Sequence, residues 1–257
     1  MKILRKVRKM LKTNSDQLYE EPYVTILCYP KATKNELKNR LLELEKLRIE
    51  KLEFAGQKQL LNTHVLGKGC VGLVVLAYRR SGKVALKIRR TDADRSSMRR
   101  EARLLRKANA VQVGPQLLGV TRNFLVMQYI EGDLLPVWLK KGISKTRSKK
   151  VLRNLLEQCW RLDTVRLDHG ELSHAPKHVI INESDEPFII DFETSSTKRR
   201  PSNVTSMSQF LFLSEISSEV VRTLGTMGRE NMIASLRRYK NEMNRENFLQ
   251  VLKSCGF

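Results

Sequence analysis

The chain has 257 residues, of which 41% are hydrophobic, and a formal net charge of +21. That length can bury a sizeable core in one bilobal domain or two small ones. No apolar run approaches the roughly 20 residues needed to span a bilayer, and the segment Met1 to Lys6 lacks the apolar stretch of a secretory signal, so the expectation is a soluble, cytoplasmic protein. The charge excess predicts a polyanionic partner, such as ribosomal or transfer RNA, DNA, an acidic protein or an anionic membrane surface, unless the clusters only solvate helix faces. With aromatics at 6%, no base-stacking platform is expected. Cys28, Cys70, Cys159 and Cys255 are scattered, without the close pairs of a zinc site, and read as reduced thiols. Cys70 differs in lying inside a glycine-rich turn beside Lys68, a setting that can lower a thiol pKa.

In chain order, Leu4, Val7 and Leu11 sit at helical spacing among basic residues, predicting a short amphipathic helix or arm. Tyr23 to Cys28 reads as a strand closed by Pro30. From Lys34 to about Glu53, Leu37, Leu41, Leu44, Leu47 and Leu52 recur near a helical period, predicting an amphipathic helix. Residues 1–60 thus form an extension. Thr63 to Ile88 reads as strand, glycine turn, strand, tight turn at Ser81-Gly82, strand. Asp94 is placed to cap a helix ending near Asn109. Leu117–Val120 and Phe124–Met127 predict a hairpin, after which Glu131-Gly132-Asp133 marks a break. Helices follow over 134–141 and 145–162, then a loop over 168–177, strands over 178–181 and 188–190, and helices over 204–224 and 230–239.

Four stretches carry chemistry. In Gly67-Lys68-Gly69-Cys70-Val71-Gly72 the glycines let backbone approach a phosphate chain closely. The β-rich run Leu73 to Ala77 that follows argues against a dinucleotide-binding turn, which would open a helix. Lys87 ends the apolar strand Val84-Ala85-Leu86, and Glu101, one helix later, can supply its counter-charge and hold it against nucleotide phosphates. The third stretch is His169-Gly170-Glu171, and the fourth is Ile189-Ile190-Asp191-Phe192, a buried-strand pattern that delivers a carboxylate.

These stretches, in this order, resemble the compact atypical protein kinases: the RIO family and the small kinase of the KEOPS transfer-RNA-modification complex. His169-Gly170-Glu171-Leu172-Ser173 matches their His-Gly-Asp loop except for the glutamate, and no Ala-Pro-Glu segment follows Asp191. The resemblance covers about Thr63 to Leu224. Aminoglycoside-type phosphotransferases share the loop, so it does not by itself fix a protein substrate.

The fold that the resemblance implies is α+β and bilobal, protein-kinase-like, with a β-rich N-lobe over 61–130 and a compact helical C-lobe over 131–257. The implied activity is ATP-dependent phosphotransfer by an atypical serine/threonine protein kinase, acting on a protein substrate, a protein complex or itself, with Mg²⁺ or in its place Mn²⁺. The alternative is a pseudokinase that senses nucleotide or binds RNA or a protein complex through its basic surface. Lys87 and Glu101 would hold phosphates, with Gly67, Lys68, Gly69 and Gly72 as lid. Val74, Ala85 and Met127 would sandwich adenine, and the backbone of Gln128, Tyr129 and Ile130 would hydrogen-bond it. Asp191 would bind the metal and Glu171 would orient the substrate hydroxyl, with Asp168 in reserve. The family's metal-binding Asn falls on Pro176 by spacing, and two extra residues bring His178 into that register. Glu193 replaces the glycine of Asp-Phe-Gly and predicts a fixed loop.

Overall fold

The computed structural model describes residues 20–225 and 228–257, and the helix expected around Leu4, Val7 and Leu11 lies outside them. Among the described residues no helix is long and apolar enough to cross a membrane. The chain divides into two compact units, one of residues up to Arg103 together with Gln116–Tyr129, the other Leu104–Pro115 with Ile130–Phe257.

The first unit opens with α1 (Tyr23–Leu27) and α2 (Lys34–Lys46). The strand expected over Tyr23 to Cys28 is therefore a helix. Ile26, Leu27 and Cys28 are all fully buried in one core with Leu37, Leu41 and Leu44, and this packing overrides the β-propensity of Val24, Thr25 and Ile26. Helix α2 is capped by Thr33, whose side chain accepts from Glu36 N at 3.2 Å. It stops at Lys46, short of the expected Glu53, because Arg48 turns the chain at φ 55° into β1 (Lys51–Glu53). Short strands β2 (Lys58–Leu60), β3 (Thr63–Val65) and β4 (Gly67–Lys68) lead to the long hairpin β5 (Gly72–Arg79) and β6 (Gly82–Arg89), then β7 (Leu117–Val120) and β8 (Phe124–Gln128). The main sheet is antiparallel in the order β1-β5-β6-β8-β7, with β4 added on β5, and β2 and β3 pair separately.

The sheet has two distinct faces. Leu73, Val75, Ala77, Val84, Leu86, Ile88, Phe124 and Val126 pack with Leu37, Leu41, Leu44 and the α1 residues in one core. Cross-strand partners share a face, so the pairs Val74↔Lys87, Ala85↔Met127 and Lys87↔Leu125 put Val74, Ala85, Lys87 and Met127 on the other. The helices are bolted to the sheet by Arg40, which is 0% exposed. Its guanidinium bonds Glu36 at 2.7 Å, the Arg89 carbonyl at 2.7 Å and the Leu27 carbonyl. Beside it Asn123 accepts from Arg89 Nε at 2.9 Å and donates to Glu43 at 2.7 Å.

Helix α3 (Arg99–Asn109) begins five residues after the expected cap, Asp94. The intervening Arg95 and Ser96 carbonyls bond the side chains of Arg89 and Arg122, so this segment is held as irregular chain. Ser97 accepts from Arg99 N at 3.2 Å, next to the helix start.

In the second unit β9 (Gly132–Leu134), read in the sequence as a break, joins β10 (Val179–Asn182) and β11 (Pro187–Ile189) in the order β11-β10-β9. Helices α4 (Leu135–Lys140) and α5 (Lys145–Thr164) follow β9. Helix α5 buries Val151, Leu152, Leu155, Leu156, Cys159 and Leu162, and Gln158 donates to the Pro187 carbonyl at 2.6 Å. The single helix expected over 204–224 is two, α6 (Asn203–Leu213) and α7 (Ser217–Leu224). The break comes at Ser214, whose hydroxyl takes the Phe210 carbonyl at 2.6 Å and competes with the helix ladder. Helix α8 (Arg229–Asn241) is followed by α9 (Arg245–Ser254), which the sequence reading missed. Asn244 caps α9 by accepting from Asn247 N at 2.8 Å, and Arg245 ties it to α5 through Glu157 at 2.7 Å.

Candidate active site

In the first unit Lys87 Nζ lies 2.9 Å from Glu101 Oε1, with the two side chains only 5% and 6% exposed. Strand β6 brings the lysine and α3 the glutamate. Lys87 also constrains its neighbour: a Cβ at Gly72 would sit 2.8 Å from the Ile88 carbonyl oxygen and 3.3 Å from the Lys87 side chain. Gly72→Ala is therefore expected to cost about 1–3 kcal/mol through overpacking against backbone, read as a lowered urea midpoint. The turn is closed by Gly69 N to Gly72 O at 2.9 Å, and Arg90 props it by donating to the Gly69 carbonyl at 3.3 Å. Lys68 Nζ lies over the Tyr29 ring at 5.5 Å, Cys70 is exposed, and Gly67 pairs with Val74. Gln128 exchanges hydrogen bonds with Gln116, Lys83 Nζ lies 5.8 Å from the centroid of the Tyr129 ring, and Ile130 opens the second unit as a buried residue.

In the second unit the antiparallel pair β10–β11 sets a second group. Val179 pairs with Ile189, and the next ladder bond runs from Ile190 N to the His178 carbonyl at 2.9 Å. His178 is thereby next to Asp191. Glu171 opens the short 3-10 helix Leu172–His174, accepting from His174 N at 3.1 Å, and its Oε2 lies 3.2 Å from His178 Nε2. One ligand atom from each of Glu171, His178 and Asp191 lies within 4.8 Å of the others. Asp191 adopts φ 68°, a left-handed conformation that Asp tolerates better than most residues. His178 is 3% exposed, and neither ring nitrogen makes an aligned hydrogen bond among the described residues. Burial lowers its pKa against the opposing pull of the Asp191 and Glu171 carboxylates, so its imidazole is neutral at pH 7 with a lone pair to give. Two carboxylates and a neutral imidazole are a donor set that fits a divalent cation.

Compared with known families, residues 76–209 match the RIO domain, just over half the chain. The chain belongs to the RIO family. This is an atypical, protein-kinase-like, ATP-binding family, and the antiparallel sheet with its helical segments is its α+β fold. The RIO match includes Lys87, Glu101, Glu171, His178 and Asp191 and begins after the glycine turn. A search of curated proteins finds no match.

The RIO loop around Glu171 is held by residues that the sequence reading did not pick out. His169 N donates to Asn203 Oδ1 at 2.8 Å, and Thr194 and Ser195 hydroxyls donate to the His169 carbonyl at 3.0 and 3.3 Å. Asn203 is fixed in turn by Asp163 at 2.7 Å, and Asp163 also accepts from Val204 N and from Tyr239 Oη. Desolvation raises the Asp163 pKa, and these donors partly offset that. One signal was present: Asp163 is a carboxylate four residues past Cys159 on the apolar stripe of α5. Asp168, the reserve carboxylate, takes Arg199 Nε at 2.8 Å and Ser202 N at 3.2 Å, which ties it to loop support. Gly170 has φ 93°, and its missing Cβ leaves room for Arg199 and Thr194.

His169 donates from Nε2 to the Ile190 carbonyl at 3.0 Å, which requires the Nε2–H tautomer. Complete burial pushes its pKa down from 6.5 to about 4. A folded pKa depressed in this way favours folding above pH 6.5, and the advantage is lost as pH falls toward 4, by about 3 kcal/mol. His178 shifts in the same direction. Urea unfolding at pH 7 and pH 4.5 should show this loss, and His169→Gln should show a clearly smaller one.

Proposed function

We propose that this RIO protein is an ATP-dependent phosphotransferase acting on a serine or threonine hydroxyl, of a protein or of itself. The observation that carries this reading is the desolvated Lys87–Glu101 pair at 2.9 Å. A buried ion pair is a poor source of stability compared with apolar packing, and phosphate handling gives a reason for it. Val74, Ala85 and Met127 offer an apolar face for adenine beside the lysine, and the glycine turn from Gly67 to Gly72 serves as the phosphate lid. Gln128, Tyr129 and Ile130 supply backbone groups for the adenine edge. Asp191 holds Mg²⁺ or Mn²⁺, which neutralises phosphate charge when bound. Glu171 orients the attacking hydroxyl and accepts its proton.

Labelled ATP tests this directly. Wild-type protein should transfer label with Mg²⁺ or Mn²⁺, and Glu171→Ala should be slower by about a hundredfold or more, the usual weight of a general base. Equal incorporation by the two proteins would remove Glu171 from the chemistry. The exposed basic residues of α5, Lys145, Lys150 and Arg153, fit a polyanionic partner, with RNA the first choice. Binding of a generic duplex RNA should weaken steeply with salt, with a log-log slope of about 0.7 to 0.9 per phosphate neutralised, and a flat response would exclude this partner.

A further inference from the structure

The side chains that meet around His178 do more than replace one ligand by another. We infer that Glu171, His178 and Asp191 form a preformed three-ligand site for a divalent first-row transition cation, filled before nucleotide arrives and selective against Mg²⁺. This rests on the reading of Asp191 as the metal carboxylate, and it adds the identity of the cation and a second function for Glu171.

The inference follows from the donor chemistry. His178 is buried, yet neither ring nitrogen has an aligned hydrogen bond among the described residues, and Nε2 lies 3.2 Å from Glu171 Oε2. A neutral imidazole has one N–H and one lone pair, and with the proton on Nδ1 the Nε2 lone pair and Glu171 Oε2 face each other closely enough to share one cation. The convergence of the three donor atoms within 4.8 Å is wide enough to surround one ion. Mg²⁺ prefers oxygen ligands and keeps much of its water, while imidazole shifts preference to Mn²⁺, Fe²⁺, Co²⁺ or Zn²⁺. A carboxylate has two oxygens, so Glu171 can give one to the cation and leave the other for the substrate hydroxyl. The short ladder from His178 to Ile190 fixes two of the three ligands on adjoining strand ends, so the protein itself supplies the preorganisation.

The test uses Mn²⁺ as probe on the full chain without nucleotide. Titration followed by electron paramagnetic resonance should show one bound Mn²⁺, displaced by Mg²⁺ only at about tenfold excess or more. Pulsed spectra should show nitrogen coupling from one imidazole. His178→Asn should lose that coupling and narrow the Mn²⁺ to Mg²⁺ preference at least about fivefold, and Glu171→Gln should weaken Mn²⁺ while keeping the coupling. No nitrogen coupling in the wild type would overturn the inference, and since it is measured on the unaltered protein it decides even if His178→Asn does not fold. Phosphate transfer without nitrogen coupling leaves the phosphotransferase reading standing and removes this site. Nitrogen coupling without any transfer supports this site and removes the phosphotransferase reading.

Discussion

Asp191→Asn should lower phosphate transfer from ATP by at least about a hundredfold, equivalent to about 2.7 kcal/mol of transition-state stabilisation, while the protein stays folded. The change removes one negative charge and retains the shape. It also keeps the backbone, because Asn accepts the left-handed φ of 68° about as well as Asp does. A paired Asp191→Ala variant separates the two effects. It loses the same transfer activity but also about 1 kcal/mol of stability, since a residue without a short polar side chain is strained at that φ. Initial rates with labelled ATP and thermal midpoints on all three proteins provide the check. Unchanged transfer in Asp191→Asn would take the metal away from this carboxylate.

The largest effect on stability is expected at Arg40. Arg40→Met should cost about 3–5 kcal/mol, seen as a lowered urea midpoint. The methionine fills much of the volume but leaves the Leu27 and Arg89 carbonyls without this donor and Glu36 without its 2.7 Å partner. Arg40→Lys keeps the charge but has a single nitrogen for acceptors that the guanidinium fork reaches together, so it should recover only part of the loss. Lys38→Ala, on the exposed side of the same helix, should shift stability by less than about 0.5 kcal/mol. An Arg40→Met protein as stable as Lys38→Ala would mean that the helices do not depend on this bolt. Because the Arg89 carbonyl lies two residues beyond Lys87 on β6, the same variant should also reduce ATP binding.

What could be read from the sequence follows the range of the interactions involved. Lys87 and Glu101 were legible because each carries its own local context, an apolar strand and a helix start, and the structure brings them together at 2.9 Å. His178 was found by counting register against Asp191, and strand pairing places it beside that carboxylate. The α+β RIO-type fold was legible from the order of the motifs, and the family match agrees. Local pattern failed where long-range packing decides. Tyr23 to Cys28 has strand composition but lies as a helix against a sheet face built from residues 73–126. Gly132 read as a break because its strand partner, Asn182, is far along the chain. Arg40 looked like one more solvated charge on a basic helix, and only its acceptors, Leu27, Arg89 and Glu36, reveal it as core. Asn203 and Arg199 hold the loop at His169 and Asp168 from more than 30 residues away, a separation with no sequence period to reveal it.

The most direct measurement is phosphate transfer from labelled ATP by wild-type protein, Asp191→Asn and Glu171→Ala, each with Mg²⁺ and then with Mn²⁺. The account predicts transfer by the wild type with at least one of the two metals and a loss of about a hundredfold or more in both variants. Incorporation that is equal in all three proteins, or absent from the wild type with both metals, would contradict it.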